Sequence, residues 1–191
     1  MSRILGILSL LIFGFLVSCQ DDVRPKPRAF LALNYPAANY HRVDIGCPYT
    51  FDINKIAEVQ PSRNKIPCWI DLIYPEMEGT IFLTYRPVQN NLDSLLTDAQ
   101  KLPLQHTIKA DVIEGDIYTN DLHKTYGMFY EVEGNAASQA QFYLTDSTRH
   151  FITGSVYFNS IPNYDSIVPA AEYLRNDIRH LMESLRWKEE N

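Results

Sequence analysis

A chain of 191 residues with 46% hydrophobic and 12% aromatic content has enough apolar surface for one packed domain, which excludes a disordered or low-complexity protein. Its formal charge of −6, without a basic stripe, argues against nucleic acid as a partner. Three cysteines and five histidines show no i,i+4 or CxxC-type spacing, so no metal site or cofactor is expected.

The first segment sets the compartment. MSRILGILSLLIFGFLVSC carries one cation, Arg3, and then an uncharged run of fourteen residues from Ile4 to Val17. As a helix this run is about 21 Å long, short of the roughly 30 Å hydrocarbon core, which suits a signal-peptide h-region better than a membrane span. The ending Leu16-Val17-Ser18-Cys19 resembles the bacterial lipobox, in which the Cys thiol is diacylated and the chain is cut before it. Residues 1–18 therefore read as a lipoprotein signal peptide and Cys19 as the lipidation site. Two or three acyl chains make a stable anchor, where one holds only marginally. Gln20 does not resemble an inner-membrane retention signal, so the outer membrane is favoured, with the leaflet undetermined. Removing residues 1–18 leaves 16 Lys and Arg against 23 Asp and Glu, a formal charge of −7.

Residues 19–40 read as the lipidated N-terminus and a tether. Arg24-Pro25-Lys26-Pro27-Arg28 alternates cations with prolines and favours an extended polyproline conformation. Phe30, Leu31, Leu33 and Tyr35 suggest that the chain then docks back onto a single domain over 41–191. With Cys19 lipidated, Cys47 and Cys68 remain. Outside the cytoplasm they read as a disulfide, worth about 3 kcal/mol, with two buried free thiols as the alternative.

Within the domain, Tyr49 to Ile53 alternates apolar and polar residues and predicts a strand. Cys68 to Tyr74 predicts a second and Thr80 to Tyr85 a third, with Pro75 to Gly79 as a hairpin connection. Leu92, Leu95, Leu96, Ala99 and Leu102 line one helical face; Asn90 or Asn91 suits the N-cap, and Pro103 places the end near Leu102. Four strands follow at about 110–118, 124–132, 139–145 and 150–158, with Gly134-Asn135 as a turn. A final helix repeats Ile167, Ala171, Leu174, Ile178, Leu181 and Leu185 at steps of four and three. Asp165 or Ser166 caps it, and Pro169 is tolerable only in its first turn. The order β-β-β-α-β-β-β-β-α gives an α+β fold, a mostly antiparallel sheet of about six or seven strands with two packed helices. It resembles the PsbP/Mog1-like scaffold.

Asp146, Ser147 and His150 in LTDSTRHF are the residue types of a nucleophilic hydrolase. Residues that close in sequence rarely form a triad, and no GxSxG elbow exists. Asp146 and Ser147 are also preferred turn residues, and Thr145 to Arg149 must reverse the chain. The stretch reads as a hairpin turn, with Asp146, Ser147, Arg149 and His150 as a possible interaction tip. Glu131 and Glu133 share one side of a strand, expected to face solvent; spacing alone does not make them a glycosidase pair. The aromatics of Tyr126 to Tyr130 and Val156 to Phe158 read as core and sheet-face residues, an exposed subset of which would suit an interface.

The segment Glu133 to Phe151 resembles the gliding motility lipoprotein GldD family, as do Gln105 to Asp111, Pro25 to Arg28, Cys47-Pro48-Tyr49, Pro67-Cys68-Trp69 and Asn90 to Asp93. The resemblance implies a non-enzymatic component or assembly factor of the Bacteroidetes gliding machinery and its associated type IX secretion system. Its partners would be the membrane, through Cys19, and other gliding or secretion envelope proteins. Two readings of other classes stand beside it: an envelope small-ligand or glycan-binding lipoprotein with a cleft between sheet and helix, and a hydrolase using Asp146, Ser147 and His150.

Overall fold

The computed structural model describes residues 34–105, 109–159 and 164–189. The lipobox, Cys19 and the Pro-rich tether lie outside the described residues. Twelve elements follow in chain order: β1 (Tyr40–Val43), β2 (Tyr49–Asn54), β3 (Glu58–Pro61), β4 (Trp69–Tyr74), β5 (Gly79–Pro87), α1 (Leu92–Leu104), β6 (Ala110–Asn120), β7 (Thr125–Gly134), β8 (Ser138–Thr145), β9 (His150–Phe158), α2 (Tyr164–Ser184) and β10 (Arg186–Trp187). Seven strands form one sheet in the order β3-β4-β5-β9-β8-β7-β6, and β1-β2-β10 form a second. Every pairing is antiparallel.

All seven expected strands and both helices are present, and β1, β3 and β10 are additional. These three have two to four residues each and show no buried–exposed alternation, so period-2 patterning does not reveal them. Helix α1 runs two residues past the expected end, with Pro103 inside its last turn, where its missing N–H removes one helical donor and the Gln105 amide closes the end on the Leu102 and Pro103 carbonyls. Asn91 is its N-cap by backbone position alone: its side-chain Oδ1 accepts from Gln89 N at 2.7 Å, outside the helix.

Helix α2 begins earlier than its pattern suggests. Asp165 and Ser166 lie inside its first turn rather than at the cap, and Pro169 falls in the second turn. The amide of Tyr164 instead donates to Asn135 Oδ1 at 3.0 Å, so a side chain from the β7–β8 connection serves the helix start. At the other end of the domain, Tyr35 packs edge-on to Tyr173 at 5.5 Å, and the Pro36 carbonyl accepts from the Tyr173 hydroxyl at 3.0 Å. Ordered packing thus reaches a few residues ahead of position 41.

The two faces of the large sheet are covered unequally. One face presents Leu72, Ile81, Leu83, Phe142, Leu144, Ile152 and Val156 to Leu174, Ile178 and Leu181 of α2 and to Tyr49, Phe51 and Ile53 of the small sheet. On the other face α1 places Leu95 and Ala99 over Tyr143 and Phe151. Strand β8 lies between the two layers and is buried at all eight positions. Close strand packing requires Gly127 opposite it, because a Cβ there would stand 1.8 Å from the Tyr143 carbonyl oxygen.

Asp177, on α2, is buried within the larger core. Its Oδ1 accepts from Tyr40 Oη at 2.6 Å, and its Oδ2 from Tyr74 Oη at 2.8 Å and Asn54 Nδ2 at 3.0 Å. No salt bridge to Asp177 is present among the described residues, so neutral donors carry the charge. Burial first, and then the carboxylate beside them, push the Tyr40 and Tyr74 phenols well above their ordinary range. Each donor comes from a different strand, so this one side chain holds β1, β2 and β4 to α2.

Asp177→Ala removes the acceptor from Tyr74 and Tyr40 and one of two acceptors from Asn54, which also donates to Tyr173 Oη at 2.8 Å, and is expected to cost about 3 kcal/mol; Tyr40→Phe, which removes one bond from a half-buried phenol, costs about 1 kcal/mol. Urea unfolding checks both as midpoint shifts at unchanged m-value.

Candidate functional site

The stretch from Asp146 to His150 folds as a hairpin turn built around one carboxylate. Asp146 Oδ1 accepts from the backbone N–H groups of Thr148, Arg149 and His150 at 3.0, 2.8 and 2.8 Å, and its Oδ2 from Thr148 Oγ1 at 2.9 Å. Burial favours the neutral acid, but these four donors outweigh it and hold the carboxyl below its usual range. Ser147 takes a left-handed conformation with φ of 65° at the tip. His150 is only 2% exposed; its Nδ1 lies 2.9 Å from Tyr85 Oη, and its ring stacks on Trp187 at 5.1 Å. The acid is thus occupied by the turn backbone and the imidazole is turned into the protein, so the stretch does not assemble as a nucleophile–base–acid relay. Of the four residues read as an interaction tip, Ser147 and Arg149 are exposed, Asp146 is half-buried, and His150 is not available to a partner.

Glu131 corrects a second expectation. It faces α2 rather than open solvent, and pairs with Arg179 and with Arg175 at 3.5 Å. Arg179 also meets Asp116 at 3.0 Å and lies 4.3 Å from the Phe129 ring centroid. Glu133 stays exposed one position beyond Val132. No group of three or more metal-ligating side chains occurs among the described residues.

Among the described residues, two small cavities lie between sheet and helices, one of about 140 Å³ beneath α1 and one of about 60 Å³ where β6 and β7 meet α2. The larger concavity, about 710 Å³, is on the outer face of β3, β4 and β5, where α1 does not reach. Antiparallel register sets its floor: Trp69 pairs with Thr84, Asp71 with Phe82 and Ile73 with Thr80, all pointing away from the larger core. Strand β9 continues the same face of the sheet next to that floor, with Ser155 beside Phe82 and Tyr157 beside Thr80. Phe82 and Tyr157 remain 40% and 37% exposed and meet edge to face at 5.7 Å.

One wall is the connection from Ser62 to Cys68. Ser62 N donates to the Trp69 carbonyl at 2.9 Å, Lys65 N to the Ser62 carbonyl at 2.8 Å, and Trp69 N to the Ile66 carbonyl at 3.1 Å. Cys68 is joined to Cys47, with Cα atoms 5.5 Å apart across 21 positions, and Trp69 Nε1 donates to the Tyr85 carbonyl at 2.9 Å. These ties hold Arg63 and Asn64 at the rim. Burial raises the Asp71 carboxyl, while the Arg63 charge opposes that rise. Ser62 is 8% exposed, lines the recess, and its Oγ has no hydrogen-bond partner.

Sequence reasoning located the two strands of this floor but not the recess. The alternation in Trp69 to Tyr74 and Gly79 to Tyr85 does show a second face carrying Trp69, Asp71 and Phe82. Whether a helix covers that face depends on where α1 packs, which strand periodicity does not encode.

Comparison with known proteins bears on both fold and family. Residues 20–187 match the family model described as gliding motility lipoprotein GldD. No curated protein matches the chain in sequence. Among solved structures the fold is similar to the solution structure of cyanobacterial PsbP (CyanoP) from Synechocystis sp. PCC 6803. The TM-score is 0.50 at 10% identity, covering 91% of this chain and 99% of that one. At that identity the likeness is one of fold alone, and it agrees with the expected α+β, PsbP-like scaffold.

Asp146→Ala is expected to destabilise the domain by about 1–2 kcal/mol at pH 7, through loss of the acceptor for the turn amides. Because the folded carboxyl titrates below the unfolded value of about 3.9, its charge stabilises the fold above that value. That contribution is lost as pH falls through the lower folded pKa. Asp146→Asn therefore differs from wild type at neutral pH and converges with it in acid, as read from thermal unfolding between pH 7 and pH 2.

Proposed function

Because the chain belongs to the gliding motility lipoprotein GldD family, we propose that it is a non-enzymatic component or assembly factor of the gliding machinery and its associated type IX secretion system. It is a lipid-anchored envelope protein of gliding motility by family. In this reading Cys19 carries a diacylglycerol and an amide-linked palmitate, and the outer membrane is its place. The family match begins at residue 20, directly after the cysteine of the lipobox, which supports that processing site.

The folded part supports a binding role. Asp146 is occupied by backbone amides and His150 by Tyr85, so neither is poised for group transfer. Strand β6 is an edge of the large sheet, and Ile117 and Leu122 near it stand 80% and 84% exposed. An exposed strand edge with apolar side chains is a surface that partner proteins pair with. Together with Ser147 and Arg149 at the turn, this edge is where neighbouring envelope proteins would engage.

The observation that carries the reading is the family match over nearly the whole chain. Cys19→Ala is expected to release the protein from the membrane fraction and to abolish colony spreading and single-cell gliding. Normal gliding by cells that contain only a correctly folded, soluble Cys19→Ala protein refutes it. Fractionation and microscopy on the same strain give both readouts.

A further inference from the structure

We propose that the recess on the outer face of β4 and β5 is a carbohydrate-binding site, with Phe82 as its aromatic floor, Tyr157 edge to face beside it, and Ser62, Arg63 and Asp71 as its polar contacts. This proposal stands apart from the motility reading; neither requires the other.

The chemistry of the lining selects the ligand. A sugar ring has an apolar C–H face and a rim of hydroxyls that both donate and accept hydrogen bonds. Phe82 and Tyr157 are large rings on a rigid sheet, about two-fifths exposed, where solubility alone favours polar side chains. Around them stand a cation at Arg63, an acceptor at Asp71 and a hydroxyl at Ser62. Among the described residues neither Arg63 nor Asp71 makes a side-chain hydrogen bond or salt bridge, although they lie at the rim and floor of the same recess. The Ser62 hydroxyl is more than nine-tenths buried and unpartnered. A buried hydroxyl left unsatisfied by its own protein is destabilising, and a ligand hydroxyl in the recess would supply the missing bond.

Other ligand classes fit less well. A phosphate or nucleotide calls for several converging cations, and here Arg63 is opposed by Asp71. A lipid or other apolar ligand calls for an enclosed cavity, and this recess is open and bordered by polar side chains. A divalent cation calls for clustered carboxylates, and no such group is found among the described residues. A volume of about 710 Å³ lies within the range of roughly 300–1,000 Å³ usual for small-ligand sites. The wall is pre-formed, because the Cys47–Cys68 bond and the Ser62–Trp69 backbone contacts hold it without a ligand.

Trp69 lines the recess and Trp187 stacks on His150 elsewhere, so Trp69 fluorescence is the local reporter. The full-length protein, extracted from its envelope in a zwitterionic detergent that contains no sugar, is titrated with cellohexaose, xylohexaose, laminarihexaose and the N-acetylglucosamine–N-acetylmuramic acid disaccharide. At least one of the four is expected to change the emission saturably. Phe82→Ala and Asp71→Asn each weaken that binding at least tenfold, and Glu172→Ala, at an exposed position of α2 on the other face of the sheet, leaves it unchanged. Both recess variants alter half-exposed or exposed positions, and circular dichroism verifies that they remain folded. The proposal is overturned by the absence of a saturable change with all four saccharides, or by equal binding in folded Phe82→Ala and Asp71→Asn proteins.

Discussion

A carboxylate buried without a cation persists only where neutral donors replace the water it has lost, and Asp177 meets that condition with three. Tyr40, Asn54 and Tyr74 come from β1, β2 and β4, and all converge on one residue of α2. The geometry leaves little freedom, because moving any of these strands separates a donor from its acceptor inside the core. Around the same point, Arg42 bonds the Ser184 carbonyl, and Asp52 N bonds Ser184 Oγ, so the end of α2 is tied to the small sheet as well. The polar cluster thereby fixes how the second sheet lies over the first, while the surrounding aliphatic layer supplies most of the burial.

Everything on the opposite face follows from what that arrangement does not cover. With α2 and the small sheet on one side, α1 alone among the described elements covers the other, and it lies over the β8–β9 region, where Tyr143 and Phe151 meet Leu95 and Ala99. One short helix cannot span seven strands. Strands β3, β4 and β5 therefore keep an outer surface open, and the tethered loop before Trp69 turns that surface into a concavity. The same chain thus has a rigid recess at one end of the sheet and, at the other, a β6 edge that no described strand pairs with, two surfaces suited to different kinds of partner.

Much of the scaffold was legible because its elements carry their own periods. The apolar steps of four and three from Ile167 to Leu185 define α2, and the turn residues of Asp146 and Ser147 mark the reversal before β9. Elements without a period were not legible: β1 and β3 are four-residue strands, and β10 is two residues long. Glu131 shows a different limit. Its alternation with Tyr130 and Val132 placed it on one side of β7, but that side faces Arg175 and Arg179 of α2. Likewise His150 sits in the same short stretch as Ser147, yet its ring belongs with Tyr85 and Trp187, which are distant in sequence.

The amino-acid sequence by itself determined the α+β order of the main elements, the turn at Asp146 and the alternating faces of β4 and β5. These are local properties, set by side-chain period and by short-range bonding between a side chain and its own backbone. Tertiary structure alone decided which face of the sheet is covered, which donors meet Asp177, where the Tyr164 amide finds its acceptor, and that Ser62, Asp71 and Phe82 border one recess. The partners in these contacts are far apart along the chain, as Tyr40 and Asp177 are at 137 positions. Local patterning specifies that a side chain must be buried or bonded, and only the packing of the whole domain specifies against what.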